Sequence, residues 1–315
     1  MRCAAIDIGS NTFRLLIAEP ATTLSGTPWK TIHYAHKIVR LGEGLHHHGK
    51  LSDAGMQRGM QAFREFSALL DEFGVTADRT MAVATAAMRE AENGEAFRKS
   101  VQHETGIDIR IIAGEIEAAM SLAGACAVLT EATRRNMLLF DIGGGSTEFI
   151  RAQDACARDA VSRKLGVVRL VEAHLHSDPP SANNYQAMKQ TAITHINEVA
   201  AGWPDHQAPE YLVGTAGTVT TLAATELDLC PYDADIINNH NISLAAFQGL
   251  RDRLLSMTHE ERQAIRTIEQ GRGDLIVAGL AIIEAVLDYW QYKDLIVVDA
   301  GLLEGAWLEI TSKRS

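Results

Sequence analysis

Cysteine is scarce in this chain of 315 residues: only Cys3, Cys126, Cys156 and Cys230 occur, far apart and without paired spacing. That spacing gives no basis for a zinc knuckle or a disulfide framework, so the thiols read as reduced and structural. Excess positive charge is missing too. With 29 Lys and Arg against 40 Asp and Glu, the formal net charge of -11 removes the extended basic face that nucleic acid or anionic lipid would need. No apolar run approaches the roughly 18 residues of a membrane span, and no basic-then-apolar leader opens the chain. The expectation is a cytoplasmic protein with neither a nucleic-acid nor a membrane partner. Also absent are a Gly-x-x-x-x-Gly-Lys loop, a His-Glu-x-x-His helix and any His-Asp dipeptide, so P-loop, zincin and His-Asp phosphohydrolase chemistries lose support. What remains is an ordinary globular composition, 46% hydrophobic and 22% charged, long enough for about two domains.

The chain does contain one phrase twice. Asp7-Ile8-Gly9-Ser10-Asn11-Thr12 near the start is echoed by Asp141-Ile142-Gly143-Gly144-Gly145-Ser146-Thr147 near the middle, each between apolar, strand-like runs. Each copy reads as a hairpin in which an acid leads into a tight turn. Small residues there let backbone N–H groups converge on an anion, and the hydroxyls of Ser10, Thr12, Ser146 and Thr147 add donors. An aspartate beside a phosphate would repel it unless a divalent cation intervened, and hard oxygens at Asp7 and Asp141 favour magnesium. Two such loops imply a cleft that handles phosphoryl groups.

Element order supports duplication. The first half reads β-β-β-α-β-α-β-α, with strands over Thr31–Leu41, Thr80–Ala84 and Ile107–Ile112, and a helix over about Ala86–Thr105. Met56, Met60, Phe63, Phe66 and Leu70 mark one face of an earlier helix at close to the 3.6 period. From Met137 the sequence begins again with a strand and Gly-rich hairpin, continues through polar helical segments, and reaches Tyr211-Leu212-Val213, then Gly214-Thr215-Ala216-Gly217-Thr218 before a helical run. A helix over about residues 302–315 is expected to pack back on the first half. His46-His47-His48 reads as a solvated turn in a Gly-rich loop, and Pro204 to Pro209 as a surface loop.

Several side chains are candidates for chemistry. Three consecutive glycines weaken a hairpin, and close approach of its backbone to a ligand is a reason for them. Gly214–Thr218 places helix N–H groups and a positive dipole end next to a loop, as either a phosphate cradle or a plain helix cap. Glu115 and Glu117 fall in a helix's first turn, where either the dipole or catalysis accounts for them. Glu148 follows the second turn as either a metal carboxylate or an exposed strand residue. Arg89 is either a phosphate fork or a surface ion pair, and Lys164, Arg169 and Arg272 are similarly open.

Taken together, these segments resemble the exopolyphosphatase and guanosine pentaphosphate phosphohydrolase family, in its short two-domain form. The matching stretches are Ile6–Thr12, Val39–Leu45, Ala84–Asn93, Gly114–Ala118, Asp141–Glu148, Leu165–Leu170, Gly214–Thr218 and Asp299–Gly305. The resemblance implies an α/β fold of two duplicated ribonuclease-H-like domains, of the actin, sugar-kinase and heat-shock-chaperone ATPase superfamily, flanking a cleft. Residues 1–125 and 126–301 would form the two domains. It further implies Glu117 as catalytic base, Asp141 and Glu148 as catalytic and magnesium-binding carboxylates with Asp7, and Arg89 as a phosphate clamp. Ser10, Asn11, Thr12, Gly143, Gly144, Gly145, Ser146, Gly214, Thr215, Gly217 and Thr218 would line the phosphate. The implied substrate is inorganic polyphosphate or guanosine pentaphosphate, cleaved at its terminal anhydride by in-line water attack. A homodimer is left open, and His240, in Asn239-His240-Asn241, receives no role. A kinase of the same superfamily and a non-enzymatic alarmone sensor are the rival readings.

Overall fold

A computed structural model describes residues 1–21, 26–203 and 208–313. Two compact units divide the chain, Met1–Val128 with Ala300–Ser315, and Leu129–Asp299. Pro204, part of one expected loop, lies outside the described residues.

The first unit opens with β1 (Cys3–Ile8), β2 (Thr12–Pro20) and β3 (Trp29–Ile38), then α1 (Leu45–His48), α2 (Asp53–Glu72), β4 (Thr80–Ala84), α3 (Ala86–Glu90), α4 (Gly94–Thr105), β5 (Ile109–Ile111) and α5 (Gly114–Val128). Its sheet runs β3-β2-β1-β4-β5, with β1–β2 and β2–β3 antiparallel, and β1–β4 and β4–β5 parallel. β1 is central and buried along its whole length, which explains its unbroken apolar run apart from Asp7. One sheet face packs Ile6, Ile8, Phe13 and Leu15 against Phe63, Phe66 and Phe97 of α2 and α4. Ser52 caps α2 by accepting the Gly55 amide.

The second unit carries α6 (Glu131–Arg135), β6 (Asn136–Ile142), β7 (Thr147–Gln153), β8 (Cys156–Arg163), α7 (Val167–His174), α8 (Ala182–Ala201), β9 (Tyr211–Thr215), α9 (Gly217–Glu226), α10 (Ala234–Ile237), β10 (His240–Ser243), α11 (Leu244–Ser256), α12 (His259–Gln263), α13 (Leu275–Trp290) and β11 (Asp294–Val297). Its order, β10-β11-β9-β6-β7-β8, repeats that of the first sheet with one added antiparallel strand. Both units therefore have the ribonuclease-H-like arrangement, and the duplication expected from the repeated phrase is present. The last helix, α14 (Leu302–Ser312), belongs to the first unit, where it lies on α5 and β1. Trp307 is buried there and donates its indole N–H to the Cys3 carbonyl at 3.2 Å. A side chain at Gly305 would meet the Met120 carbonyl at 1.9 Å, so α14 and α5 touch backbone to backbone.

Three local expectations need correction. The single helix over Ala86–Thr105 is two, because Asn93 bonds both backbone groups of Leu51 and Ala91 turns extended before α4 begins. The histidine run is a one-turn helix instead of a loop, bracketed by Gly44 and Gly49 in left-handed conformation. A third strand, β8, follows β7 where only polar helices were expected.

Candidate active site

In the first unit, β1 delivers Asp7 to its C-terminal end, and the turn that follows presents Ser10, Asn11 and Thr12. The Gly9 amide closes the turn on the Thr12 carbonyl at 3.1 Å. The Ser10 carbonyl accepts from Gly42, and the Asn11 carbonyl from Val39 and Arg40, each at 2.8 Å. Those bonds turn the acceptors inward. Among the described residues, the amides of Ser10 and Asn11 have no protein acceptor.

Asp7 and Arg14 are cross-strand partners on β1 and β2. Arg14 donates to Asp7 Oδ2 through Nη2 at 2.6 Å and Nε at 2.9 Å. Burial opposes the guanidinium's charge, yet Asp7, Tyr34 and Glu304 hold its pKa above the ordinary arginine value.

α5 starts directly after the short strand β5 and brings Glu117 into the interior, 6% exposed, in the helix's first turn. Arg89 on α3 donates through Nη1 to Glu117 Oε2 at 3.0 Å and to the Ile112 carbonyl at 2.8 Å. Two residues singled out separately thus meet in one ion pair that fixes the carboxylate's orientation. Glu115 instead faces a cavity of about 710 Å³ with Met120, Trp307 and Pro28.

The second unit repeats the turn. Gly143 closes on Ser146 at 2.9 Å; the carbonyls of Gly143 and Gly144 accept from Val167 and Val168, and that of Gly145 from Arg169 Nε at 2.7 Å. Again, among the described residues, the amides of Gly144 and Gly145 have no protein acceptor. This packing also explains Gly166, where a Cβ would stand 2.2 Å from the Gly144 carbonyl. Thr147 differs from expectation, since its hydroxyl donates to the Leu165 carbonyl inside the fold. Asp141 and Glu148 are direct antiparallel partners, and both are buried. Ser162 donates to Glu148 Oε1 at 2.6 Å. Two opposed acids with hard oxygens have the donor chemistry that suits a divalent ion such as magnesium, whereas like charges facing each other are otherwise destabilising.

Thr215 pairs with Asp141 across parallel strands, so the Gly214–Thr218 loop adjoins the hairpin. Gly214 lies within β9, its missing side chain replaced by Phe140, Val219 and Leu295, so packing accounts for it. Ala216 takes φ 74 and ψ 171, a conformation nearly reserved for glycine, immediately before α9. Thr218 presses on Gly279 of α13. Arg272 carries more weight here than its place in the sequence suggested: a Cβ on Gly217 would stand 1.9 Å from its Nη1, so the guanidinium covers the start of α9. The Gly-Arg-Gly spacing at 271–273 is the only local signal for it. His240 bonds Glu226 at 2.8 Å, tying β10 to α9.

The model of the Ppx/GppA phosphatase family matches residues 21–314. The chain belongs to the Ppx/GppA phosphatase family. It is 32% identical to Exopolyphosphatase 2 of Mycobacterium tuberculosis, over 98% of each chain. The crystal structure of the Aquifex aeolicus Ppx/GppA family member is 30% identical with a TM-score of 0.82, covering 100% of this chain and 99% of that one. An exopolyphosphatase from Cytophaga hutchinsonii is 26% identical with a TM-score of 0.88, over 99% and 98% of the two chains. Ppx/GppA membership agrees with the resemblance drawn from the motifs, and these structures share the duplicated α/β fold.

Proposed function

We propose that this Ppx/GppA protein hydrolyses the terminal phosphoanhydride of inorganic polyphosphate, guanosine pentaphosphate or both, releasing orthophosphate by in-line attack of water. The names of its exopolyphosphatase relatives support polyphosphate. One observation carries the reading: in both hairpins the carbonyls are drawn into the protein while the amides of Ser10, Asn11, Gly144 and Gly145 remain for an anion. Such preorganised donors stabilise developing charge without reorganising during the reaction.

Glu117 accepts the proton of the attacking water, and Arg89 holds that carboxylate in place and offers its remaining N–H groups to a phosphate oxygen. The second hairpin, Ser146, Thr215, Gly217 and Thr218 with the start of α9 supply further donors. Asp141 and Glu148 would hold magnesium, which when bound shields phosphate charge.

The test is orthophosphate release from short and long polyphosphate and from guanosine pentaphosphate, with magnesium and with chelator. Magnesium-dependent release is expected. Tight guanosine pentaphosphate binding without release would select the sensor instead, and phosphorylation of an added acceptor by ATP would select the kinase.

A further inference from the structure

The two hairpins share a backbone but not their charge. Counting from the leading aspartate, the residue directly opposite it is Arg14 in the first unit and Glu148 in the second. One position therefore decides whether each hairpin carries a neutral pair or two negative charges. In the first, both donated bonds converge on a single oxygen, Asp7 Oδ2, while Oδ1 is buried and, among the described residues, has no hydrogen-bond partner. A bare buried carboxylate oxygen is costly, so Oδ1 calls for a donor. A divalent ion there would sit beside a fixed guanidinium on the same carboxylate, and Arg14 cannot lose its proton to relieve the repulsion.

We infer that Arg14 stands in the first hairpin as a built-in cation, so that Asp7 binds no divalent metal and offers Oδ1 to a neutral hydrogen-bond donor such as water. The inference rests on reading Asp141 and Glu148 as the metal carboxylates, and it withdraws Asp7 from the set the sequence suggested. Arg14 is a positioning residue acting through Asp7.

Manganese binding, followed by the electron paramagnetic resonance of the free ion, counts bound ions without turnover. The wild-type chain should bind one Mn2+. Asp7→Asn should leave its affinity within threefold, while Glu148→Gln should weaken it about 10–100-fold or more, the range for disturbing a metal's support. Arg14→Gln, which frees Asp7, should gain a second ion. Since a lone buried carboxylate threatens folding, the neutral double variant Asp7→Asn/Arg14→Gln serves beside it and should bind as many ions as the wild type. Loss of an ion in Asp7→Asn or in the double variant overturns the inference, as does an Arg14→Gln protein that folds and gains none. A wild type that binds no Mn2+ while Arg14→Gln binds one would sustain the inference and defeat the metal reading of Asp141 and Glu148.

Discussion

Glu117 is the residue on which catalysis turns in this proposal. Its carboxylate is buried and held by Arg89 at 3.0 Å, so Glu117→Gln should preserve shape while removing the proton acceptor. Steady-state phosphate release should fall about 10²–10⁴-fold with substrate affinity largely kept. Unchanged release would remove Glu117 from the role. Ala216 makes a second residue-scale case. Its φ of 74 with ψ 171 stores strain, and Ala216→Gly should raise stability by about 1 kcal/mol in denaturant titration; a loss would show that the alanine methyl packs usefully. At this scale residue type and spacing marked the acids and glycines, and only the family resemblance put Glu117 ahead of Glu115. Glu115 and Glu117 look alike in the chain, and only packing of α5 turns one inward and leaves the other at a cavity rim.

The informative elements are the turns and the helices that brace them. Carbonyls of the triple-glycine turn are held by the first residues of α7, and Gly166 permits that approach. Gly166→Ala should cost about 1–3 kcal/mol by overpacking against backbone, and should lower phosphate release as the turn shifts. Gly249 on α11 is its counterpart, with open space around the missing side chain. There Ala should stabilise by about 1 kcal/mol through helix propensity alone, leaving activity unchanged. Equal effects at both sites would contradict the packing account. Strands and long helices were legible because apolar periodicity reports burial directly. The break at Ala91–Asn93 was not, since it depends on Asn93 finding Leu51, 42 positions away. Likewise, the need for glycine at 166 was not legible, since it comes from the Gly144 carbonyl, 22 positions earlier in the chain.

For the molecule as a whole, charge and protonation set the working range. In the second unit, burial and His176 depress the pKa of His174, and burial, together with Arg163 and Arg169, depresses that of His195. The unfolded chain therefore binds protons more readily than the folded one just below the ordinary histidine value of 6.5. Stability should rise with pH through that window and be lost as pH falls below about 6.5. Fluorescence of Trp203 and Trp290 in urea titrations at several pH values reads this out; the dependence should weaken in a His174→Gln/His195→Gln variant, and a flat wild-type profile would refute it. The chain by itself determined the duplication, the family and the twice-written acid-and-glycine phrase, because each is written in contiguous residues whose spacing is chemistry enough. Only tertiary structure decided which acid faces which base. Arg14 on Asp7, Arg89 on Glu117 and Arg272 over Gly217 depend on strand register and on helices returning from far along the sequence, and a charged side chain's role is set by the partner that packing brings to it.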